Sequence, residues 1–205
     1  MKKIIVCNIT MKEEPDRCAY KTQDLSLPVS EREVIYPINA FLEKTLVRGE
    51  EIKVVMLVKK DKCGNYRKNT ALFVEELMDV NETVGAKIEF KTVESNFDEN
   101  QSIHEELLGM IVDELEDGSR ILADITYGPK DVPIILFSAL GFAEKFLGCE
   151  IENIIYGQAT FVGGKPTDTK ICDMVPLYYL NSVINAIHSE DGTRARQMLK
   201  SLLSI

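Results

Sequence analysis

The chain is predicted to fold as an α/β Rossmann-like three-layer sandwich. Its sheet is mostly parallel and six-stranded, in the order 3-2-1-4-5-6, with the last strand antiparallel. Three observations predict this. Short, nearly continuous apolar runs alternate with longer segments of helical periodicity. Right-handed crossovers between such strands bring the first and fourth together in mid-sheet, at a topological switch point. The link between the fifth and sixth strands is too short for a helical crossover, which turns the sixth antiparallel to the fifth.

Lys3–Asn8 is the first strand, rich in β-branched residues and ending toward polar Asn8 and Thr10. Residues 11–28 make a polar connection of a length usual in lids or locally disordered segments. Ser30-Glu31-Arg32-Glu33 has the capping-box form. It predicts a helix that carries Val34, Ile38, Phe41, Leu42 and Leu46 on one face and ends at Gly49. Residues 52–58 are a second buried strand, followed by a charged loop with a turn signal at Gly64-Asn65. Residues 69–78 form an amphipathic helix, 86–93 an edge strand, and 102–115 a helix closed by Asp117-Gly118.

The fourth strand, 121–125, turns through Gly128-Pro129 into a long apolar helix, Val132–Phe146. Residues 151–156 are the fifth strand, and Gly163-Gly164-Lys165-Pro166 is the turn cluster leading to the sixth, 170–175. Helices at 177–187 and 194–203 finish the chain. With 205 residues, 45% of them hydrophobic, and no repeat or linker, residues 1–205 are expected to form a single domain.

The formal charge of −9 argues against duplex nucleic acid, which needs a broad basic face, but leaves room for a small anionic ligand. Five scattered cysteines without a CxxC pair point to reduced thiols and a cytoplasmic location. The N-terminus lacks the apolar length and cleavage site of a signal peptide, and no run reaches the ~20 apolar residues of a membrane helix. The first strand has no glycine fingerprint for a dinucleotide, and no Walker lysine motif is present. His104 and His188 stand without partners at metal spacing, so neither a metal nor a cofactor is expected. Glu51-x-Lys53 and Glu89-x-Lys91 match a nuclease E-x-K fragment but fit strand-edge solubility better.

The polar corner inside 121–133 is the candidate site. Gly128 can take a positive φ and expose successive N–H groups, and the following helix can present N-terminal donors to the same space. Thr126 offers a hydroxyl and Lys130 a cation. An ordinary turn, with Asp131 as N-cap and Pro133 in the first helical turn, accounts for the pattern equally well. In the predicted strand order this corner faces Asn8, Ile9 and Thr10 across one crevice. Asn8, Ile9, Thr10, Thr126, Tyr127, Gly128 and Lys130 are therefore the candidate ligand-binding residues. Catalytic residues are not identified. The helix Val132–Phe146 is apolar around most of its circumference, so either a symmetric partner or the C-terminal helix should cover its outer side.

Residues 124–133, Asp-Ile-Thr-Tyr-Gly-Pro-Lys-Asp-Val-Pro, resemble the D-I-T-H-G-F-R-S-L-P segment of CRISPR-associated Rossmann-fold (CARF) proteins, closest to the TM-type CRISPR-associated family. Ile154-Ile155-Tyr156-Gly157 is similar to that branch's Y-Y-G strand ending. Tyr127 stands where the family has His, and Lys130 where it has Arg, which keeps a cation but loses the bidentate fork. The resemblance implies a homodimeric sensor of cyclic tetra- or hexa-adenylate in type III CRISPR antiviral signalling, with the ligand lying across the two-fold axis. It implies as an alternative a metal-independent ring nuclease that cleaves its own ligand by 2′-hydroxyl attack, with Lys130 and Thr10 as candidates. No effector motif of that family is visible, so the chain either acts alone or is the sensor part of a longer effector.

Overall fold

A computed structural model describes residues 2–22, 27–60, 62–96, 98 and 100–203. In chain order the elements are β1 (Lys3–Asn8), β2 (Cys18–Ala19), β3 (Glu33–Val34), α1 (Pro37–Thr45), β4 (Glu51–Lys59), α2 (Asn65–Asn81) and β5 (Lys87–Ser95). There follow α3 (Gln101–Asp113), β6 (Arg120–Asp124), α4 (Val132–Phe146), β7 (Glu150–Val162), β8 (Lys165–Asp173), α5 (Val175–Asn185) and α6 (Gly192–Leu203). Six strands make one sheet, β5-β4-β1-β6-β7-β8, parallel except for the last pair. This is the expected 3-2-1-4-5-6 order of a Rossmann-like α/β fold. Two compact units are present: Met1–Asp173, with the sheet and α1 to α4, and Met174–Ile205, with α5 and α6.

The two-residue period of the strands divides the apolar side chains between two cores. Ile5 and Cys7 of β1, with Val54 and Met56 of β4, join Phe41 of α1 and Phe73 of α2 in one cluster. Ile4 and Val6, and Val55 and Leu57, are buried on the opposite face, the side of α3 and α4. Each fully buried side chain of this size contributes about 1.5–3 kcal/mol of transfer free energy. Strands buried on both faces can be apolar throughout, and that is why they were legible as continuous runs.

The N-terminal edge of the sheet is closed by ion pairs. Lys3 Nζ lies 3.0 Å from Glu152, and Lys53 Nζ lies 2.7 Å from Glu114 Oε2. Lys53 is only 7% exposed, so it is a buried, paired residue and not a solubility device at a strand edge. Glu89 and Lys91, by contrast, pair with each other on the exposed edge strand β5.

The largest departures from expectation lie in residues 11–36. The capping box at Ser30–Glu33 caps nothing, because α1 starts only at Pro37, where proline fits the first helical turn. Glu33 and Val34 are instead extended and pair antiparallel with Cys18 and Ala19. The polar connection is stitched to β8, through Lys21 N–H to Thr169 O at 3.1 Å and Thr169 Oγ1 to Ala19 O at 2.6 Å. A buried carboxylate holds the rest. Glu76 of α2 accepts from the Ile35 and Tyr36 amides (2.8 and 3.1 Å), Asn39 Nδ2 (2.9 Å) and Arg17 Nη1 (3.0 Å). Asn69, also on α2, donates to Thr10 O and Lys12 O at 2.7 and 2.9 Å.

Smaller corrections follow from the same packing. Helix α2 begins one turn earlier than its apolar pattern, with Gly64 at φ 77° as N-cap. Strands β7 and β8 run on to a hairpin loop of only two residues, Gly163 and Gly164, both at positive φ as a tight hairpin requires. In the C-terminal unit α5 and α6 pack on each other, and Tyr178 is the one buried residue of the pair among the described residues.

Replacing Glu76 by Ala would strand four buried or half-buried donors. Urea unfolding should show Glu76→Ala destabilised by about 3–5 kcal/mol. Arg17→Ala, at a half-exposed partner, should cost about 1 kcal/mol or less.

Candidate functional site

The corners after β1 and β6 meet at the C-terminal edge of the sheet. Cys7 pairs with Asp124 in register, so Asn8 lies beside the turn that begins at Ile125. Gly128 has φ 96°, and a Cβ added there would stand 3.0 Å from Asn8 Oδ1. Glycine is required on both counts, and it lets the turn backbone rest against the Asn8 amide. Asn8 is 3% exposed, yet neither Oδ1 nor Nδ2 has a hydrogen-bond partner among the described residues. An unpaired buried amide costs about 1–3 kcal/mol.

Below this contact, one hydroxyl links three elements. Thr126 Oγ1 donates to Asp124 Oδ1 and accepts from the Gly157 amide at 2.8 Å, while the Thr126 amide donates to the same Asp124 oxygen at 2.8 Å. Burial pushes the Asp124 carboxyl up to about 6, against the opposing pull of the Thr126 hydroxyl, the Thr126 amide and the Ile38 amide of α1. A Cβ at Gly157 would lie 2.3 Å from Pro37 Cγ at the start of α1, so a side chain there must displace the proline ring. The Tyr156-Gly157 pair within β7 thus has a packing reason of its own.

Above the corners opens a cleft of about 280 Å³. Its floor includes Thr10, Thr126 and Tyr127. One wall is the connection after β1, with Lys12, Asp16, Cys18 and Tyr20, and the other is the β7–β8 hairpin, with Tyr156 and Phe161. Lys12 forms an ion pair with Asp16, and the Lys12 amide donates to Thr10 Oγ1 at 3.3 Å. The cleft is therefore a mixed slot, with four aromatic rings (Tyr20, Tyr127, Tyr156 and Phe161), one charge pair and a few hydroxyls.

The predicted residues divide by what their side chains do. Asn8, Thr10, Thr126, Tyr127 and Gly128 come together at the switch point. Ile9 is a core residue, 3% exposed, whose amide donates to Leu57 O. Tyr127 turns its hydroxyl inward to Ile35 O at 2.6 Å and packs edge-on against Tyr36, and burial holds its pKa well above the usual range. Thr126 is committed to the stitch just described. Lys130 is exposed and lies outside the lining of the cleft.

The expectation of N-terminal helix donors aimed at a ligand is corrected. The Val132 amide goes to Pro129 O, Pro133 has none, and the Ile134 and Ile135 amides go to Asp131 O. Asp131 occupies the N-cap position but makes no side-chain cap; its Oδ2 lies 2.8 Å from His104 Nε2 on α3. Lys12, Tyr20 and Phe161 were not foreseen, because only folding brings the segments around 12–20 and 156–166 together.

Among the described residues no group of three or more His, Cys, Asp or Glu is placed to hold a metal ion, and no helix is long and apolar enough to cross a membrane. The cysteines are free thiols. No protein-family model matches the chain, and no curated protein matches it. The class defined by fold and site is a Rossmann-like α/β domain with a cleft at its switch point.

Two variants test this geometry. Gly157→Ala should lower stability by about 1–3 kcal/mol in denaturant titrations, since Pro37 must give way. Asp124 carries a folded pKa above its ordinary 3.8, so the folded state holds the proton more tightly. Its contribution is then most favourable below pH 4 and is lost as pH rises through 6. Asp124→Asn keeps an acceptor without the charge. Its stability relative to the parent should rise by roughly 2–3 kcal/mol between pH 4 and 7; a flat difference would contradict the buried carboxylate.

Proposed function

We propose that this protein binds cyclic oligoadenylate as a sensor in type III CRISPR antiviral signalling, two copies holding one ring across a two-fold axis. The observation that carries the reading is Asn8. Its amide is buried with a donor and an acceptor both unpartnered, against Gly128, at the point of a parallel sheet where open α/β folds bind ligands. A paired donor and acceptor is the pattern that an Asn amide uses on an adenine edge. The likeness of residues 124–133 to the CARF segment points to the same corner from the sequence side. Lys130, exposed at that corner, supplies a cation for phosphate.

The two-fold arrangement has support in α4. Its outer stripe, Ile134, Phe142 and Phe146, is 69%, 38% and 63% exposed, which is unusual for large apolar residues at i, i+8 and i+12 on one helix face. A second copy laid on that stripe would bring two switch-point corners under one ligand, in the self-complementary manner of a two-fold interface.

Calorimetry with cyclic tetra- and hexa-adenylate, followed by chromatography of the ligand over hours, tests the proposal. Binding with intact ligand is the expected result; linear products would convert the reading to a ring nuclease, and no binding of either ring would end it. Asn8→Leu should leave stability unchanged or higher while weakening binding at least tenfold, because it removes unpartnered polar atoms at similar volume. Lys130→Ala should weaken binding more than tenfold, and unchanged affinity would remove Lys130 from the phosphate contact.

A further inference from the structure

Beyond its last pairing with β6, at Ile155, strand β7 leaves the sheet and continues with β8 as a two-stranded ribbon to Gly163 and Gly164. The ribbon forms one side of the 280 Å³ cleft. Phe161 lines that cleft and is nevertheless 61% exposed, and Tyr156 beside it is 37% exposed. Large aromatic rings on the wall of a cleft, half open to water, offer flat apolar surface to a ligand. Facing them are Pro15 and Tyr20 of the connection after β1, a segment already tied down by Asn69 and by β8. The two walls are thus joined to each other through residues 19–21 and 169–171, while the ribbon's pairing with β6 ends at its base.

The volume restricts what can enter. It sits at the lower edge of the ~300–1,000 Å³ typical of small-molecule pockets, which suits one nucleoside-sized group and excludes a whole oligonucleotide ring. The walls carry three aromatic rings, Tyr20, Tyr156 and Phe161, the kind of surface on which nucleobases stack whatever their edge pattern. The Lys12–Asp16 pair and Thr10 add polar partners within the same cleft.

We infer that the cleft beneath the β7–β8 ribbon is a nucleobase pocket, in which Phe161 and Tyr156 stack on a single base turned out of the ligand. This rests on the adenylate reading for the identity of the base, but the stacking itself does not depend on a cyclic ligand. Each copy of the chain takes one base, so a ring bound by two copies is held by two of its bases. The ribbon, and not only the switch-point corner, then determines affinity.

The test uses the absence of tryptophan from the chain. Phe161→Trp places a single indole on the ribbon, and Phe161→Ala removes the ring at an exposed position where the fold does not depend on it. Titration of the Trp variant with adenosine monophosphate should quench its fluorescence saturably, whereas ribose 5-phosphate should not. In calorimetry with cyclic tetra- or hexa-adenylate, whichever binds, Phe161→Ala should weaken affinity roughly ten- to hundredfold, and Phe161→Trp should retain it. If the ring binds the parent and Phe161→Ala equally well, the base pocket is wrong while the sensor reading stands. If neither ring binds but adenosine monophosphate quenches the Trp variant, the pocket stands and the sensor reading falls. Absence of quenching by the monophosphate together with no effect of Phe161→Ala overturns the inference.

Discussion

The geometry of the site depends on one buried carboxylate. Glu76 of α2 is almost wholly enclosed, and its two oxygens collect donors from the start of α1 and from Arg17 in the connection after β1. A buried charge is tolerated only when its lone pairs are filled, and here the donors come from two separate pieces of chain, residues 35–39 and Arg17. Satisfying Glu76 therefore orders residues that have no regular secondary structure of their own. It delays the start of α1 to Pro37 and fixes the wall segment over the sheet's C-terminal edge.

A second carboxylate does the same work from the other side. Asp124 ends β6 and orients Thr126, whose hydroxyl in turn receives the Gly157 amide and ties β6 to β7. Pro37 packs on Gly157 so closely that a side chain there would have to push the proline ring aside. Helix α1 is thus held between Glu76 and the Asp124–Thr126–Gly157 stitch. The floor of the cleft is thereby tied to β6, β7 and α1, while the ribbon beyond Ile155 pairs no further with β6 and is joined instead to Ala19 and Lys21.

Three of the candidate residues changed meaning once their surroundings were in place. Thr126 and Tyr127 had been read as ligand contacts, yet both spend their hydroxyls on the protein, on Asp124 and Ile35 respectively. They shape the cleft with their carbon surface. Ile9 is core. Asn8 kept its place as a candidate, since its Oδ1 and Nδ2 have no hydrogen-bond partner among the described residues. Sequence alone could not rank these four, because hydrogen-bond satisfaction depends on partners up to 92 residues away.

The sequence by itself determined the sheet. Strands buried on both faces must be apolar throughout, helices between them must show a 3.6-residue period, and the short fifth-to-sixth link must reverse direction. These are local consequences of burial and chain reach, so strand order, the antiparallel sixth strand and the meeting of the two corners were all legible. Only the tertiary structure decided the start of α1, the pairing of residues 18–21 and 33–34, and the walls of the cleft. Ser30–Glu33 had a sound local motif, but the carboxylate at position 76 offered its neighbours better partners than a capping box could. A short-range preference of about 1 kcal/mol gave way to a buried charge that had to be satisfied.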